Sequence, residues 1–327
     1  MFTDQQRHWC LFTSAGDKNS IRLWLAGNAP RRWDLIVAYY GDNDQEFSKI
    51  SQLSSYALRS KGSKFQNLKK LVTESARFFD RYSHVWVCDD DILMSSTQIE
   101  EAFELTETLG FWVAQPALHL KGKMFHWITC TAGSAWDYRL VNFVEVSMPI
   151  FRRDKLIEFL AAYDGGLTGW GIDFWFMNLF NANEFARFAI IDKVRVVNPR
   201  DEDKGRREID RLQSEPLREA DWRKVQEKYG FVEYPEKVFA YCKLAPKGDL
   251  INRFIRIRSL PTVVPALLET LRRSGLRNAI WLVRCGFIVR RQRRRVRITQ
   301  LRTKIPAKMK ELCALGAAKF WGMMARI

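Results

Sequence analysis

Long apolar runs are missing from this sequence: the stretch Ala279–Val289 covers 11 residues, is interrupted by Arg284, and falls far short of the roughly 20 that span a bilayer. Cysteine is sparse as well. The six, at 10, 88, 130, 242, 285 and 313, show no paired ligand spacing, which excludes a zinc-ribbon pattern and points to reduced thiols in a cytoplasmic setting. The opening Met1–Gln6 lacks the basic and apolar regions of a secretory signal, in line with that expectation. No internal repeat occurs, and no low-complexity stretch before residue 250.

What is present is length and an uneven charge. At 327 residues the chain exceeds the usual single-domain size, so one large α/β domain (1–250) with an appendage (251–327) is expected. Residues 251–327 hold 19 Lys and Arg against two acidic residues, whereas residues 1–250 hold 34 against 35, so the net charge of +16 belongs to the tail. Arginines there alternate with apolar residues, culminating in Arg290-Arg291-Gln292-Arg293-Arg294-Arg295. Phe254, Trp281, Phe287, Phe320 and Trp321 supply interfacial aromatics, and Met309, Leu312, Cys313, Phe320 and Met324 keep helical spacing on one face. A mainly helical, amphipathic tail of this kind suits an anionic membrane surface, each Lys or Arg contributing on the order of 1 kcal/mol. Nucleic-acid phosphates and plain solvent are the competing surroundings, the first weighed below the membrane.

From about residue 20 to residue 115, strand-like and helix-like runs alternate, which predicts a mostly parallel, Rossmann-like sheet with flanking helices. Asp34–Tyr40 reads as a first parallel strand, ending in the polar loop Gly41-Asp42-Asn43-Asp44. Gln66–Phe79 carries an apolar helical stripe, and His84–Cys88 reads as the next strand. Gly110–Ala114 and Phe143–Phe151 are further candidate strands, with a helix over Asp154–Tyr163. The mixed charges of residues 200–230 describe a solvated loop and helix.

Three carboxylates, Asp89-Asp90-Asp91, follow the strand at 84–88 directly. Side chains alternate along a strand, so Asp89 and Asp91 fall on one face and Asp90 on the other. Like charges so close raise each other's pKa unless a cation lies between them. Oxygen ligands favour a hard divalent ion, Mg²⁺ or Mn²⁺, held by Asp89 and Asp91. An acidic turn capping the following helix is the plainer alternative.

A second cluster, Thr168-Gly169-Trp170-Gly171-Ile172-Asp173-Phe174-Trp175, opens another helix. Trp170 between two glycines can offer its face to a sugar ring, and Asp173 can accept a proton from an attacking hydroxyl. The same residues also describe an ordinary helix start with Trp170 in the core. His84 opens a buried strand and reads as structural, whereas His119 and His126 flank the polar connection Lys121-Gly122-Lys123.

The two clusters in this order resemble the nucleotide-sugar fold called GT-A. The stretches Lys61–Leu71, Val85–Ile92, Trp112–Leu118, Phe143–Phe151 and Gly169–Phe174 are similar to the glycosyltransferase-like family catalogued as domain of unknown function 707. That resemblance spans roughly residues 34 to 200. It implies a metal-dependent transfer of sugar from a nucleotide-sugar donor to a cell-surface glycan or lipid-linked acceptor, with inversion. In that scheme Asp42, Lys64 and Asp90 border the donor, Lys61 being an alternative cation for the diphosphate; Trp170 and Gly171 face the acceptor, and Asp173 is the base. Where the family has a histidine after its last core strand, this chain reads Val196-Val197-Asn198-Pro199-Arg200; Asn198 is a poorer metal ligand, so either metal affinity is lowered or another group such as His119 or His126 completes the shell. A metal-dependent nuclease or phosphoryl-transfer enzyme, or a non-catalytic glycan-binding relative, are the alternatives, Asn198 keeping the last one open.

Overall fold

The computed structural model describes residues 8–27, 31–184, 187–200 and 212–244. Among them nine strands join one sheet in the order β3-β2-β1-β4-β7-β5-β8-β6-β9. The strands are β1 Trp9–Ala15, β2 Trp33–Tyr39, β3 Tyr56–Arg59, β4 His84–Asp89, β5 Val113–Leu118, β6 Tyr138–Val141, β7 Ile150–Arg152, β8 Phe188–Val196 and β9 Val238–Cys242. β3, β2, β1 and β4 are mutually parallel, as are β5 and β8, while β7 runs antiparallel between β4 and β5. β6 and β9 close the far edge antiparallel. The expected α/β sheet is present, but it is mixed: four of its eight neighbouring pairs are parallel and four antiparallel, because β7 is inserted between β4 and β5 and because β6 and β9 close the edge.

Both faces of the sheet are apolar because both are covered. Along β4, Val85 and Val87 enter one core with Phe65, Leu68 and Leu71 of α3 (Lys64–Glu74), Leu156 and Phe159 of α5 (Arg153–Ala162) and Ile172 of α6 (Ile172–Leu179). Trp86 and Cys88 enter the other, with Ile21 and Trp24 of α1 (Ile21–Leu25), Ile50 of α2 (Asp44–Leu53) and Ile99 and Phe103 of α4 (Ser96–Thr108). Strand alternation thus feeds two separate cores. One further helix, α7 (Glu215–Tyr229), is solvated along most of its length but buries Trp222, in keeping with the charged 200–230 segment; residues 201–211 lie outside the described residues.

Several boundaries differ from the sequence reading. The first parallel strand is Trp9–Ala15, ahead of the one expected at 34–40; it is buried throughout and therefore lacks the alternation that marks a half-exposed strand. The helix expected to reach Phe79 stops at Glu74. The strand expected at 110–114 starts only at Val113, because Gly110 is in the left-handed region at φ 67° and still belongs to the turn after α4. Of Phe143–Phe151 only the end, from Ile150, is strand. Its earlier part is irregular yet satisfied: Pro149 O and Ser147 O accept from Val87 N and Asp89 N at 2.9 and 2.8 Å. Apolar character there came from burial, not from a ladder. No helix among the described residues is long and apolar enough to cross a membrane, and the basic tail 251–327 lies outside them.

Candidate functional site

The chain builds β1, β2 and β3 outward in one direction and then places β4 on the other side of β1. Between β1 and β4 the sheet therefore has its topological switch point, and open α/β sheets bind ligands in the crevice at the carboxyl ends of such strands. Gly16 follows β1 there, and Asp89-Asp90-Asp91 end β4.

Pleat alternation does not decide the triplet, because β4 stops at Asp89 and residues 90 and 91 form a turn. Asp90 is 4% exposed, and its Oδ2 accepts from Gly16 N at 2.9 Å. Its backbone oxygen accepts from Ser20 N at 2.7 Å, and the Tyr40 hydroxyl stands 3.5 Å from the same carboxylate. A Cβ on Gly16 would meet the Tyr40 ring at 2.7 Å, so glycine is what lets the two loops close on Asp90. Asp90 ties the turn to β1 and shapes the crevice from beneath.

Asp89 is met by Lys64. Its Nζ donates to Asp89 Oδ1 at 2.6 Å and to Ser147 O at 2.7 Å, and the lysine side chain is only 8% exposed against 44% for the carboxylate. Lys64 is the first residue of α3, where a cation opposes the helix dipole. The capping box of Ser63 and Gln66 fixes that helix start, and the carboxylate of Asp89 offsets the unfavourable position. The cation that the sequence demanded for the triplet is therefore supplied in part by the protein itself. Among the described residues, no three His, Cys, Asp or Glu side chains are grouped to hold a metal ion.

Asp42 stands apart from this crevice floor. Its side chain is 90% exposed and pairs with Lys61 Nζ at 2.6 Å, which holds its pKa below the usual carboxylate value. Asn198 is 3% exposed with an unpartnered Oδ1, while its backbone oxygen accepts from Lys123 N at 2.7 Å. The neighbouring Val197 pairs with Leu93, just beyond the triplet, so the segment carrying Asn198 runs beside the end of β4. His119 uses its Nδ1 to accept from Lys121 N at 3.1 Å, and burial lowers its pKa. His84 is buried at the other end of β4, and burial drives it down to about 4, as a structural histidine requires.

The second cluster divides by exposure. Trp170 is 39% exposed and so does not belong to the core, whereas Asp173 is 2% exposed. Gly171 is the N-cap of α6 with φ 93°, and a Cβ there would stand 3.0 Å from the buried Trp222 indole. Both the left-handed backbone and the close approach exclude a side chain. Asp173 accepts from Phe174 N at 3.0 Å and more loosely from Val146 N at 3.4 Å. Burial nevertheless raises its pKa, with His126 and these backbone donors pulling the other way.

Around Asp173 gather His126, which the sequence marked as a candidate for the metal shell, and Glu145 and Glu236, which it did not assign. Glu145, 3% exposed, is pushed up to about 7 by burial, with His126 lowering it and Asp173 and Asp89 raising it. Burial alone would lower His126, but its 2.6 Å contact with Glu236 and the charges of Asp173 and Glu145 bring it up to about 9. Arg139 anchors the loop that carries His126: its guanidinium grips Asp192 at 2.7 and 3.0 Å and donates to Ile128 O and Cys130 O. The signal for Glu145 was a lone acid in the apolar run Phe143–Phe151. Glu236 has no such flag.

No family model matches this chain, and no curated protein does, so the likeness to the domain of unknown function 707 family rests on the quoted motifs alone. Among solved structures, residues 1–349 of S. aureus TarS share 11% identity over 59% of this chain and 60% of that one, at a TM-score of 0.44. The same fragment in complex with UDP-GlcNAc scores 0.40 at 10% identity over 59% and 58%. A candidate nucleotide-diphospho-sugar transferase from Desulfovibrio desulfuricans G20 scores 0.35 at 13% identity, covering 66% of this chain and 97% of that one. The chain spans about three fifths of the TarS fragment it matches. Likeness at this level assigns neither activity nor substrate to the present chain. Its own topology defines the class: a Rossmann-like α/β protein with an acidic turn at the switch point.

Proposed function

We propose that this protein is a GT-A-type glycosyltransferase that moves a sugar from a nucleotide-sugar donor to a glycan or lipid-linked acceptor, with inversion. The observation that carries the reading is the place of Asp89-Asp90-Asp91 at the carboxyl end of β4, beside β1, where the strand order reverses. A divalent Mg²⁺ or Mn²⁺ fits that turn in chemistry, since Asp89 and Asp91 offer hard oxygens and such ions commonly take one or two carboxylates plus substrate phosphates and water. When bound, it would supply Lewis-acid neutralisation of the leaving diphosphate. Lys64, which donates to Asp89, would add its own positive charge to that diphosphate, and Asp90 holds the turn in shape. Asp42, exposed in the loop after β2, would border the nucleoside.

On the acceptor side, Trp170 presents an exposed indole and Gly171 fixes the start of α6. Asp173 takes the proton of the acceptor hydroxyl as that oxygen bonds to the anomeric carbon, while the C–O bond to the diphosphate breaks and its electron pair leaves with the nucleotide. Burial of Asp173 sets a condition on this step: the hydroxyl must be admitted to the pocket, and contacts of this kind often tighten only when substrate is bound. A peripheral position on the inner face of the membrane, through residues 251–327, completes the reading.

One observation favours a second reading, a relative that kept the fold without catalysis. Lys64 already neutralises Asp89, the task otherwise left to an ion. Thermal-shift measurements with a panel of nucleoside diphosphates, with and without Mn²⁺, separate the two. Stabilisation by one nucleotide only when Mn²⁺ is present, lost in Asp89→Asn, is the expected outcome. No shift from any nucleotide under either condition would overturn the transferase reading.

A further inference from the structure

Lys64 is a buried cation whose salt-bridge partner among the described residues is Asp89. Its side chain is 8% exposed, and its ammonium donates to Asp89 Oδ1 at 2.6 Å and to Ser147 O at 2.7 Å. Ser147 O also takes Asp89 N at 2.8 Å, which fastens the ammonium, the carboxylate and the segment ahead of β7 into one unit. Nothing else around Lys64 replaces that anion. The Phe65 ring lies 5.9 Å from Nζ, and the residue opens α3, where free N–H groups carry partial positive charge. Asp89 is differently placed. Its carboxylate is 44% exposed at the carboxyl end of β4, so a dissolved cation can reach it while the ammonium behind it stays shielded.

We propose that Lys64 makes the binding of a divalent ion and of a diphosphate interdependent: it bars the ion from Asp89 until a diphosphate supplies oxygens to which the ammonium can turn. The inference rests on the reading of Asp89 as a ligand for that ion and adds the order in which the site is assembled. An ion that engaged Asp89 alone would draw off the charge on which Lys64 relies. That would leave an ammonium buried beside a positive helix end without a counterion, a costly arrangement. An ion that arrives with a diphosphate brings the replacement anion with it. The four-carbon stem of lysine lets Nζ turn to a new acceptor while α3, fixed by its capping box, stays in place. By linkage the effect is reciprocal, the ion raising the affinity for diphosphate by the factor by which diphosphate raises the affinity for the ion.

Binding of Mn²⁺ alone to the full chain, followed by electron paramagnetic resonance of the free ion, tests the barrier without any need for turnover. Wild-type protein is expected to hold Mn²⁺ weakly, Lys64→Met at least about tenfold more tightly, and Lys64→Arg, which keeps the charge, as weakly as the wild type. Equal affinity in the wild type and Lys64→Met overturns the proposal. So does a tightening that persists when Asp89→Asn is added, because the ion would then sit elsewhere. A second arm needs no variant to fold: inorganic pyrophosphate and Mn²⁺ together are expected to raise the wild-type melting temperature by more than the sum of their separate effects. Purely additive rises overturn the proposal. If Lys64→Met gains no affinity while a nucleoside diphosphate with Mn²⁺ still stabilises the wild type, the present proposal alone falls; if no nucleoside diphosphate stabilises the wild type, the transferase reading falls and takes this proposal with it.

Discussion

Arg139 with Asp192, and Asp173 with its neighbours, are both buried ionic groups, but only the first is balanced. Arg139 satisfies both oxygens of Asp192 and two backbone carbonyls, and Asp192 also takes the N–H of Ala132 at 2.7 Å. One cation meets one anion and the donors are matched. Around Asp173 the matching is incomplete: Asp173 and Glu145 are buried carboxylates with no cation among the described residues bonded to either, and burial raises the pKa of both. Burial with full pairing holds architecture together; burial with an excess of one sign is where acid–base chemistry is commonly found.

The contrast is open to direct attack. Arg139→Met leaves Asp192 buried without its cation, which should cost about 3–5 kcal/mol of stability in urea unfolding. A loss under about 1 kcal/mol would erase the distinction between the two groups. Asp173→Asn should do the opposite, keeping stability and nucleotide binding while lowering kcat by about 10²–10⁴. Donor binding lost together with turnover would move Asp173 to the metal or nucleotide, and a product of retained configuration would remove its role as base.

The smallest effect is on pH dependence. Glu145 titrates at about 7 in the fold against an ordinary 4.5. Between those values the unfolded chain has released a proton that the fold retains, so stability falls as pH rises through this window and levels off above it. His126, raised from 6.5 to about 9, adds stability fully present below 6.5 and lost as pH climbs through 9. Melting temperature followed against pH in Glu145→Gln should lose the lower slope and keep the upper one. An unchanged lower slope would show that Glu145 does not titrate in this window.

Sequence patterns reached the crevice at the end of β4 more fully than the surroundings of Asp173. Acidic residues after an apolar strand are legible because such a strand is buried and its end must then face a crevice, and Lys64 was marked by its position before a helix. What the pattern could not reveal was that Lys64 and Asp89 bond to each other, since 25 residues separate them and only the α3 start and the β4 end bring them together. β1 is buried on both faces like β2, but Thr13 and Ser14 interrupt its apolar run, so neither alternation nor a continuous apolar stretch marked it. Glu236 was invisible for another reason: it lies in an irregular segment after α7 and reaches His126 across 110 residues. Gly171 and Asp173 were found by spacing, yet their opposite neighbour Trp170 was resolved as exposed only by the fold.

The left-handed glycine at 171 has a practical side for redesign. Because its backbone is locked against Trp222, the position of Asp173 is insulated from whatever occupies residue 170. Under the proposed reading, swapping that indole for smaller or polar rings would retune which acceptors are admitted while leaving Asp173 where it stands.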